Sequence, residues 1–312
     1  MGKQKEGIGD LVQLQNNKIV DSRDIKEMPE KVYEERYLEK IYELQKELLD
    51  GYVKIEGLPP YPINVNSKKS QVLIKDFVGR VIEELAEGYE SMLEVVKITK
   101  ANKFFFGDVK VSEIQRAVNH LQNVSEEMAD AMHFMTELLI YSNIQPEDID
   151  AYITKIMPNL NPNTNIIRRA MNAGLAMLAV DNDDDGATTS GYVDLVAKLK
   201  GVENELNPEG DDVRDWELYQ ACHHVNELDF IQRKKDLWDV TYHLNIARNF
   251  LKNKPWKQSQ MMTDETRYQE QIVLGFIKMM GFFANISITP ENLYHIYFKK
   301  NQVNRFRQKS NY

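Results

Sequence analysis

The sequence lacks the features that would place it outside the cell or in a membrane. It has one cysteine, Cys222, so no internal disulfide can form, and this favours a reducing compartment. No apolar run approaches the roughly 20 residues of a membrane-spanning helix, and the first residues contain no apolar signal core. We therefore predict a cytoplasmic protein with no membrane partner.

Basic residues are also in deficit. The chain has 39 Lys and Arg against 48 Asp and Glu, which gives a formal net charge of −9. Nucleic-acid binding needs a basic surface, so we predict no nucleic-acid partner. A small phosphorylated ligand held through a metal ion is still compatible with this charge. A hydrophobic content of 42% over 312 residues supports a substantial core.

Apolar residues recur at helical spacing through most of the chain, and this predicts an all-α helical bundle. Gly51 and the prolines that follow it are expected to end the first helix. Helices are predicted at about 29–49, 70–98, 112–122, 124–142, from 146 onward, 165–180, 214–230, 232–252, 264–285 and 290–299. A basic tail follows the last of these helices.

Two pairs of acidic residues stand within the predicted helices. Glu84 and Glu87 form the first pair, and Glu127 and Asp130 form the second. Residues three apart share one helix face, so each pair points two carboxylates the same way, beside apolar neighbours. Four carboxylates at the edge of a core need a compensating cation, and Mg²⁺ prefers such ligands together with phosphates. The alternative is two ordinary solvated helix faces.

Two other groups of potential metal ligands are weaker. Segment 181–192 copies the first half of an EF-hand loop, but Tyr192 stands at the twelfth position, where that loop needs Glu. We interpret this segment as an acidic linker. A second group is interpreted as structural because histidines at helical spacing commonly pack in cores. Its members are His223, His224, Glu227, Asp239 and His243.

The second half of the chain echoes the first. The segment MTELLIYSNIQPEDIDAYITK slides onto IKMMGFFANISITPENLYHIYFKK with Pro146 on Pro290. In this register Gln271 and Leu274 lie opposite the second acidic pair. The first acidic helix has a separate counterpart around segment 241–250, with no acid where the first pair would lie. The pattern predicts a degenerate internal duplication in which one copy keeps the acids.

These patterns divide the chain into four segments. Residues 1–66 are predicted to form an N-terminal arm and a first helix, and residues 67–180 an acidic, metal-binding helical unit. Residues 181–213 are predicted to form an acidic linker. Residues 214–312 are predicted to form a second helical unit that ends in a basic tail.

The last sixteen residues are the most specific part of the sequence. Segment 297–312, YFKKNQVNRFRQKSNY, resembles the C-terminal motif of the dimeric all-α dUTPases. The acidic pairs resemble the ExxE and ExxD motifs of that family and of its MazG-like all-α nucleoside triphosphate pyrophosphatase relatives. Segments 44–48 (LQKEL) and 255–257 (PWK) are similar to two further family motifs. Leu49 and Asn311 depart from the pattern, where the family has Asn and Gly.

The resemblance implies Mg²⁺-dependent hydrolysis of a pyrimidine deoxynucleoside triphosphate, with dUTP giving dUMP and pyrophosphate. It implies that Glu84, Glu87, Glu127 and Asp130 bind the metal and that Glu87 orients and deprotonates the attacking water. Gln45 would read the base. The other implied substrate-binding residues are Trp256, Lys257, Lys300, Asn304, Arg305 and Arg307.

Several alternatives stay open from the sequence. Leu49 admits dCTP, dTTP or a 5-modified dUTP as the substrate. A non-catalytic helical binding protein that has inherited the acids is the alternative to an enzyme. The chain is expected to be a homodimer or a monomeric pseudo-dimer, in which the second half supplies the basic residues of one site. The resemblance suggests a phage or bacterial form, located in the host cytoplasm if it is phage-encoded.

Overall fold

The structure is a computed structural model and describes most, but not all, of the chain. The described residues are 36–55, 57–101, 109–180, 227–253 and 261–310, together with Ile25, Pro29, Asp212, Val213, Trp256 and Gln258. The calcium-like segment 181–192, Cys222 and Lys257 lie outside these residues.

The described residues form eight helices and one short β-ladder. The helices are α1 (Tyr37–Ile55), α2 (Lys68–Ala101), α3 (Val111–Tyr141), α4 (Pro146–Ile156), α5 (Ile166–Val180), α6 (Glu227–Phe250), α7 (Glu265–Asn285) and α8 (Pro290–Ser310). The ladder pairs β1 (Val109–Lys110) antiparallel with β2 (Asp212–Val213). The predicted all-α class is confirmed.

One pair of helices and one group of three form the body of the fold. Helix α2 packs along α3, and α7 packs against both α6 and α5. Helix α8 packs on α1 and α3, which brings the C-terminal helix beside the second acidic pair. One hydrophobic core joins residues from α1 through α8, so it includes residues of three of the four predicted segments. The division into segments stays a prediction.

A pair of glycines lets α5 and α7 touch through their backbones. A Cβ on Gly174 would lie 2.2 Å from the carbonyl oxygen of Ile277 and 2.6 Å from the amide nitrogen of Gly281. A Cβ on Gly281 would lie 2.4 Å from the carbonyl carbon of Gly174. Both glycines are required by close approach, because any side chain would force the two helices apart.

Helix α3 is continuous, so the predicted break between 122 and 124 is wrong. No proline or glycine lies within Val111–Tyr141, and both Leu121 and Val124 are buried. The polar residues at this point bond to neighbours and do not interrupt the helix. Asn123 Nδ2 donates to Ser91 Oγ at 2.8 Å, and Ser125 Oγ donates to the carbonyl of Leu121 at 3.3 Å.

The predicted end of the first helix at Gly51 is also wrong, because α1 continues to Ile55. Gly51 serves the packing of α8. A Cβ there would lie 2.4 Å from Oε1 of Gln308, whose Nε2 donates to the carbonyl of Leu48 at 2.9 Å. The lack of a side chain at Gly51 therefore leaves room for Gln308 of α8, and α1 continues through this glycine.

The C-terminal residues form a helix, whereas the sequence predicted a basic tail after about residue 299. Helix α8 runs from Pro290 to Ser310 without interruption. Val303 is 1% exposed and Phe306 is 6% exposed, and both contact Ile25 in a small hydrophobic cluster. Apolar residues three apart anchor this half of the helix, so its basic residues are held in fixed positions.

The ends of α3 and α7 have the same local structure. Asn143 and Ser287 have positive φ angles of 57° and 67°. The following residues then donate back to the helix, Ile144 to the carbonyl of Leu139 and Ile288 to that of Phe283. These bonds are 3.0 Å and 2.9 Å long. The register predicted from the two prolines thus matches a repeated helix corner. The duplication itself is not shown and stays a hypothesis.

No single helix in the described part of the chain is long and apolar enough to cross a membrane. Helices α7 and α8 meet the length and composition test only as a pair, which is bent by 104°. Within the fold α7 packs on α5 and α6, and its apolar residues belong to the core.

Candidate active site

The two acidic pairs converge where α2 packs on α3. Ligand oxygens of Glu84, Glu87 and Glu127 lie within 4.8 Å of one another. Gly88 permits this approach, because a Cβ there would lie 2.1 Å from Cε of Met128 and 3.3 Å from Cβ of Glu127. The helices therefore bring together three of the four carboxylates that the spacing singled out. The fourth, Asp130, lies beside this group.

Crowding and burial make these carboxylates hard to ionise together. Burial, the Asp130 charge and the hydrogen bond to Glu127 together raise the pKa of Glu84 to about 8. Burial also raises the pKa of Glu127, while the hydrogen bond from Glu84 opposes that shift. In the absence of a cation, a proton held by Glu84 therefore offsets part of the negative charge.

These side chains fit a hard divalent cation. All the donors are carboxylate oxygens, without the nitrogen or sulfur ligands that favour zinc or copper, and Mg²⁺ and Mn²⁺ prefer such donors. Within the described ranges, this is the one group of three or more His, Cys, Asp or Glu side chains whose ligand atoms all lie within 4.8 Å of one another. A bound cation would replace the proton on Glu84 and relieve the repulsion among the three acids.

Asp130 is paired with the C-terminal helix. Lys300 Nζ lies 2.6 Å from Asp130 Oδ2, and the two side chains are 13% and 19% exposed. Burial raises the pKa of Asp130, and the charges of Lys300 and Arg307 oppose that shift. Two of the basic residues predicted to bind substrate therefore act on the acidic cluster within the same chain.

The remaining predicted substrate-binding residues occupy varied positions. Arg305 Nη1 pairs with Glu47 Oε2 at 3.0 Å. Asn304 is partly buried on α8, and Trp256 is 76% exposed between α6 and α7. The structure does not describe Lys257. Their roles in substrate binding stay predictions.

Both ends of the connection that carries Trp256 are held by a network of buried amides. The side chain of Asn253 donates to the carbonyls of Asn66 and Met261 at 3.0 Å and 2.9 Å, and it accepts from the Met261 amide at 2.6 Å. Gln71 Oε1 accepts from the backbone amide of Asn253 at 2.9 Å. This network ties the connection to the start of α2 and so restricts where Trp256 can lie.

Gln45 belongs to a buried polar network between α1, α3 and α8. Its Nε2 donates to Glu137 Oε1 at 2.8 Å. Its Oε1 accepts from His133 Nδ1 at 2.8 Å and from the Tyr297 hydroxyl. The residue is 0% exposed, so in this structure its amide bonds to the protein itself. Base recognition by Gln45 stays a prediction.

Three further residues of this network, Tyr297, His133 and Glu137, have no functional role predicted from the sequence. Tyr297 and His133 stack with ring centroids 4.0 Å apart, and burial lowers the pKa of His133 to about 3. The imidazole is therefore neutral. One sequence signal was available, because polar residues within an otherwise apolar helix face commonly bond to one another when they are buried.

The alternative histidine cluster is not supported by its described members. His243 Nδ1 lies 2.9 Å from Gln271 Oε1, and Asp239 pairs with Lys278 at 3.3 Å. Both residues therefore have structural partners. Segment 222–226, with two of the histidines of that cluster, lies outside the described residues.

Comparison with known families gives one match, which spans more than half of the chain. The model of an all-helical, dimeric-type dUTPase family matches residues 113–312. The chain belongs to the dUTPase family. The match covers Glu127, Asp130 and the whole of α8, whereas Glu84 and Glu87 precede it. No curated protein and no solved structure matches the chain.

Family membership decides between the two classes that the sequence left open. The protein is an enzyme, a dUTP diphosphatase with a nucleotide substrate, and not a non-catalytic binding protein. dUTPases generally use a divalent metal ion, and the glutamate cluster of α2 and α3 is suited to one. The acidic pair outside the matched range thus converges with the pair inside it.

Proposed function

We propose that this dUTPase hydrolyses dUTP to dUMP and pyrophosphate with Mg²⁺ held by Glu84, Glu87, Glu127 and Asp130. The observation that carries the proposal is the convergence of the two acidic pairs beside the basic residues of α8. Mg²⁺ characteristically binds carboxylates together with substrate phosphates. When bound, it neutralises phosphate oxygens and positions the triphosphate.

Glu87 is proposed to orient and deprotonate the attacking water. It is the exposed member of the carboxylate group, whereas Glu84 and Glu127 are partly buried. An exposed carboxylate at the edge of a metal cluster can reach both the metal and the solvent. General-base catalysis also needs a group within hydrogen-bond reach of the water.

The basic residues of α8 are proposed to stabilise the leaving pyrophosphate. Lys300 provides a compact charge, and Arg305 and Arg307 provide planar groups that bind phosphate oxygens in pairs. Asn304 adds an amide donor on the same helix. Trp256 and Lys257 are proposed to contact the nucleotide from the connection between α6 and α7.

Uracil is the proposed base, with Gln45 as its reader. A glutamine amide both donates and accepts, as a uracil edge requires. Leu49, which departs from the family pattern, is 0% exposed and packs in the core. Gln45 is equally buried in this structure, so burial does not separate the two residues, and dCTP, dTTP or a 5-modified dUTP stay the alternative substrates.

One chain is proposed to form one active site, as a monomeric pseudo-dimer. The acids lie on α2 and α3, the basic residues lie on α8, and Lys300 meets Asp130 within a single chain. Two catalytic magnesium clusters per chain would contradict this arrangement. Metal stoichiometry, measured on the purified protein by elemental analysis, distinguishes the two cases.

The reaction is tested by identifying its products. The purified chain is incubated with dUTP and Mg²⁺, and the products are followed by ³¹P NMR. We expect dUMP and pyrophosphate in equal amounts, no product with excess EDTA, and recovery when Mg²⁺ is restored. Release of dUDP and orthophosphate, or full activity in EDTA, would overturn the proposal.

A further inference from the structure

The ion pair between Lys300 and Asp130 occupies a carboxylate that the proposed metal site requires. Its 2.6 Å separation and its 13% and 19% exposure make it shorter and more buried than a second ion pair of α8, Arg305 with Glu47. That pair is 3.0 Å apart, with 23% and 58% exposure. Solvent and salt screen a buried pair much less than an exposed one, so Lys300 holds Asp130 firmly.

Helix packing fixes the position of Lys300. One turn before it, Tyr297 stacks on His133 of α3 with ring centroids 4.0 Å apart. His133 in turn lies one turn after Asp130, so the two helices run antiparallel with two contacts in register. The hydrogen bond from Tyr297 to Gln45 holds the same turn against α1. Lys300 is therefore directed to Asp130 by the fold.

Asp130 stands outside the group of acids whose ligand atoms are mutually close. Glu84, Glu87 and Glu127 lie within 4.8 Å of one another, and Asp130, held by Lys300, is not a member of that group. An ammonium group and a divalent cation on the same carboxylate would repel each other across a few ångströms. The ammonium of Lys300 is therefore positioned to compete with a divalent cation for Asp130.

We propose that Lys300 is the resident counter-ion of Asp130 in the metal-free enzyme and leaves it when a divalent cation binds the four carboxylates. This exchange rests on the proposed function, because it assumes that Asp130 is a metal ligand. The released ammonium can then bind the triphosphate, because Asp130 no longer competes with the phosphate oxygens for it. Metal binding and phosphate binding are thereby coupled through the side chain of Lys300.

The exchange is tested by calorimetric titration of the metal-free, full-length protein with Mn²⁺ alone at pH 8. Lys300→Met removes the charge and keeps the length of the side chain. Since the competing cation is gone, we expect Mn²⁺ to bind at least about 10-fold more tightly than to the wild type. Lys299→Met removes the same charge from the adjacent position of α8, and we expect affinity within about twofold of wild type.

A double-mutant cycle separates exchange from a general charge effect. In an Asp130→Asn background, Lys300→Met is expected to change the affinity by less than about twofold, because no pair is left to break. An equal gain in both backgrounds would overturn the exchange, as would unchanged or weaker binding by Lys300→Met. Wild type that binds no divalent cation would refute the proposed metal site itself. Lys300→Gln replaces Lys300→Met if circular dichroism shows that the methionine variant is unfolded.

Discussion

Glu87→Gln is expected to lower kcat for pyrophosphate release by about 1,000-fold or more, the upper range for losing a general base that also binds metal. The substitution keeps the size of the side chain but removes its charge and its ability to accept a proton. Glu87 is exposed, so the change should leave the fold intact. The measurement is steady-state hydrolysis of dUTP at saturating Mg²⁺.

Glu90→Gln provides the matched control. Glu90 is exposed on the same helix, one turn beyond Glu87, and it is not part of the carboxylate group. We expect its kcat to stay within about threefold of wild type, as for surface substitutions away from a site. A Glu87→Gln enzyme that turns over as fast as Glu90→Gln would show that Glu87 is not the base.

Gly174→Val is expected to lower the free energy of unfolding by more than about 4 kcal/mol, which is exceptional for a single substitution. The first added carbon would lie 2.2 Å from the carbonyl oxygen of Ile277 and 2.7 Å from Cα of Gly281. Both contacts are with backbone, so no side-chain rotation relieves them and α5 must move away from α7. Urea unfolding followed by circular dichroism measures the loss.

Gly79→Ala is the control for this prediction, because it adds a carbon to a helix where there is space. Apart from Gly79 itself, its chain neighbours and the nearby backbone of its own helix, no heavy atom lies within 4 Å of the Cβ position at Gly79. Alanine has the higher helix propensity, so we expect stability to rise by about 1 kcal/mol. If Gly174→Val unfolds at the same urea concentration as wild type, the close packing of α5 on α7 is incorrect.

Local sequence patterns predicted the elements whose signals are themselves local. Pro146 and Pro290 each mark the first turn of a helix, as their spacing indicated. The apolar run from 165 to 180 predicted α5 to within one residue. The acidic pairs were found because residues three apart share a helix face. The apolar stripe beside that face packs in the core and so fixes the direction in which the acids point.

The predictions from sequence failed where contacts with a distant part of the chain determine the role of a residue. Gly51 was interpreted as a helix stop, but its lack of a side chain accommodates Gln308 of α8. The bond from Tyr297 to Gln45 joins residues 252 positions apart, and no sequence period encodes such a pair. The Lys300–Asp130 pair likewise needs the packing of α8 on α3, which no local pattern specifies.

We propose that this dUTPase depends on magnesium and is selective for dUTP. The most direct test compares kcat/KM for pyrophosphate release from dUTP, dCTP, dTTP, dATP and dGTP, with Glu87→Gln measured alongside. We predict release from dUTP at least about 100-fold above every other nucleotide, as expected for a site that hydrogen-bonds a base edge. We predict that release by the variant is at least about 1,000-fold slower than release by the wild type. Equal release from all five, or undiminished release by Glu87→Gln, would contradict the account.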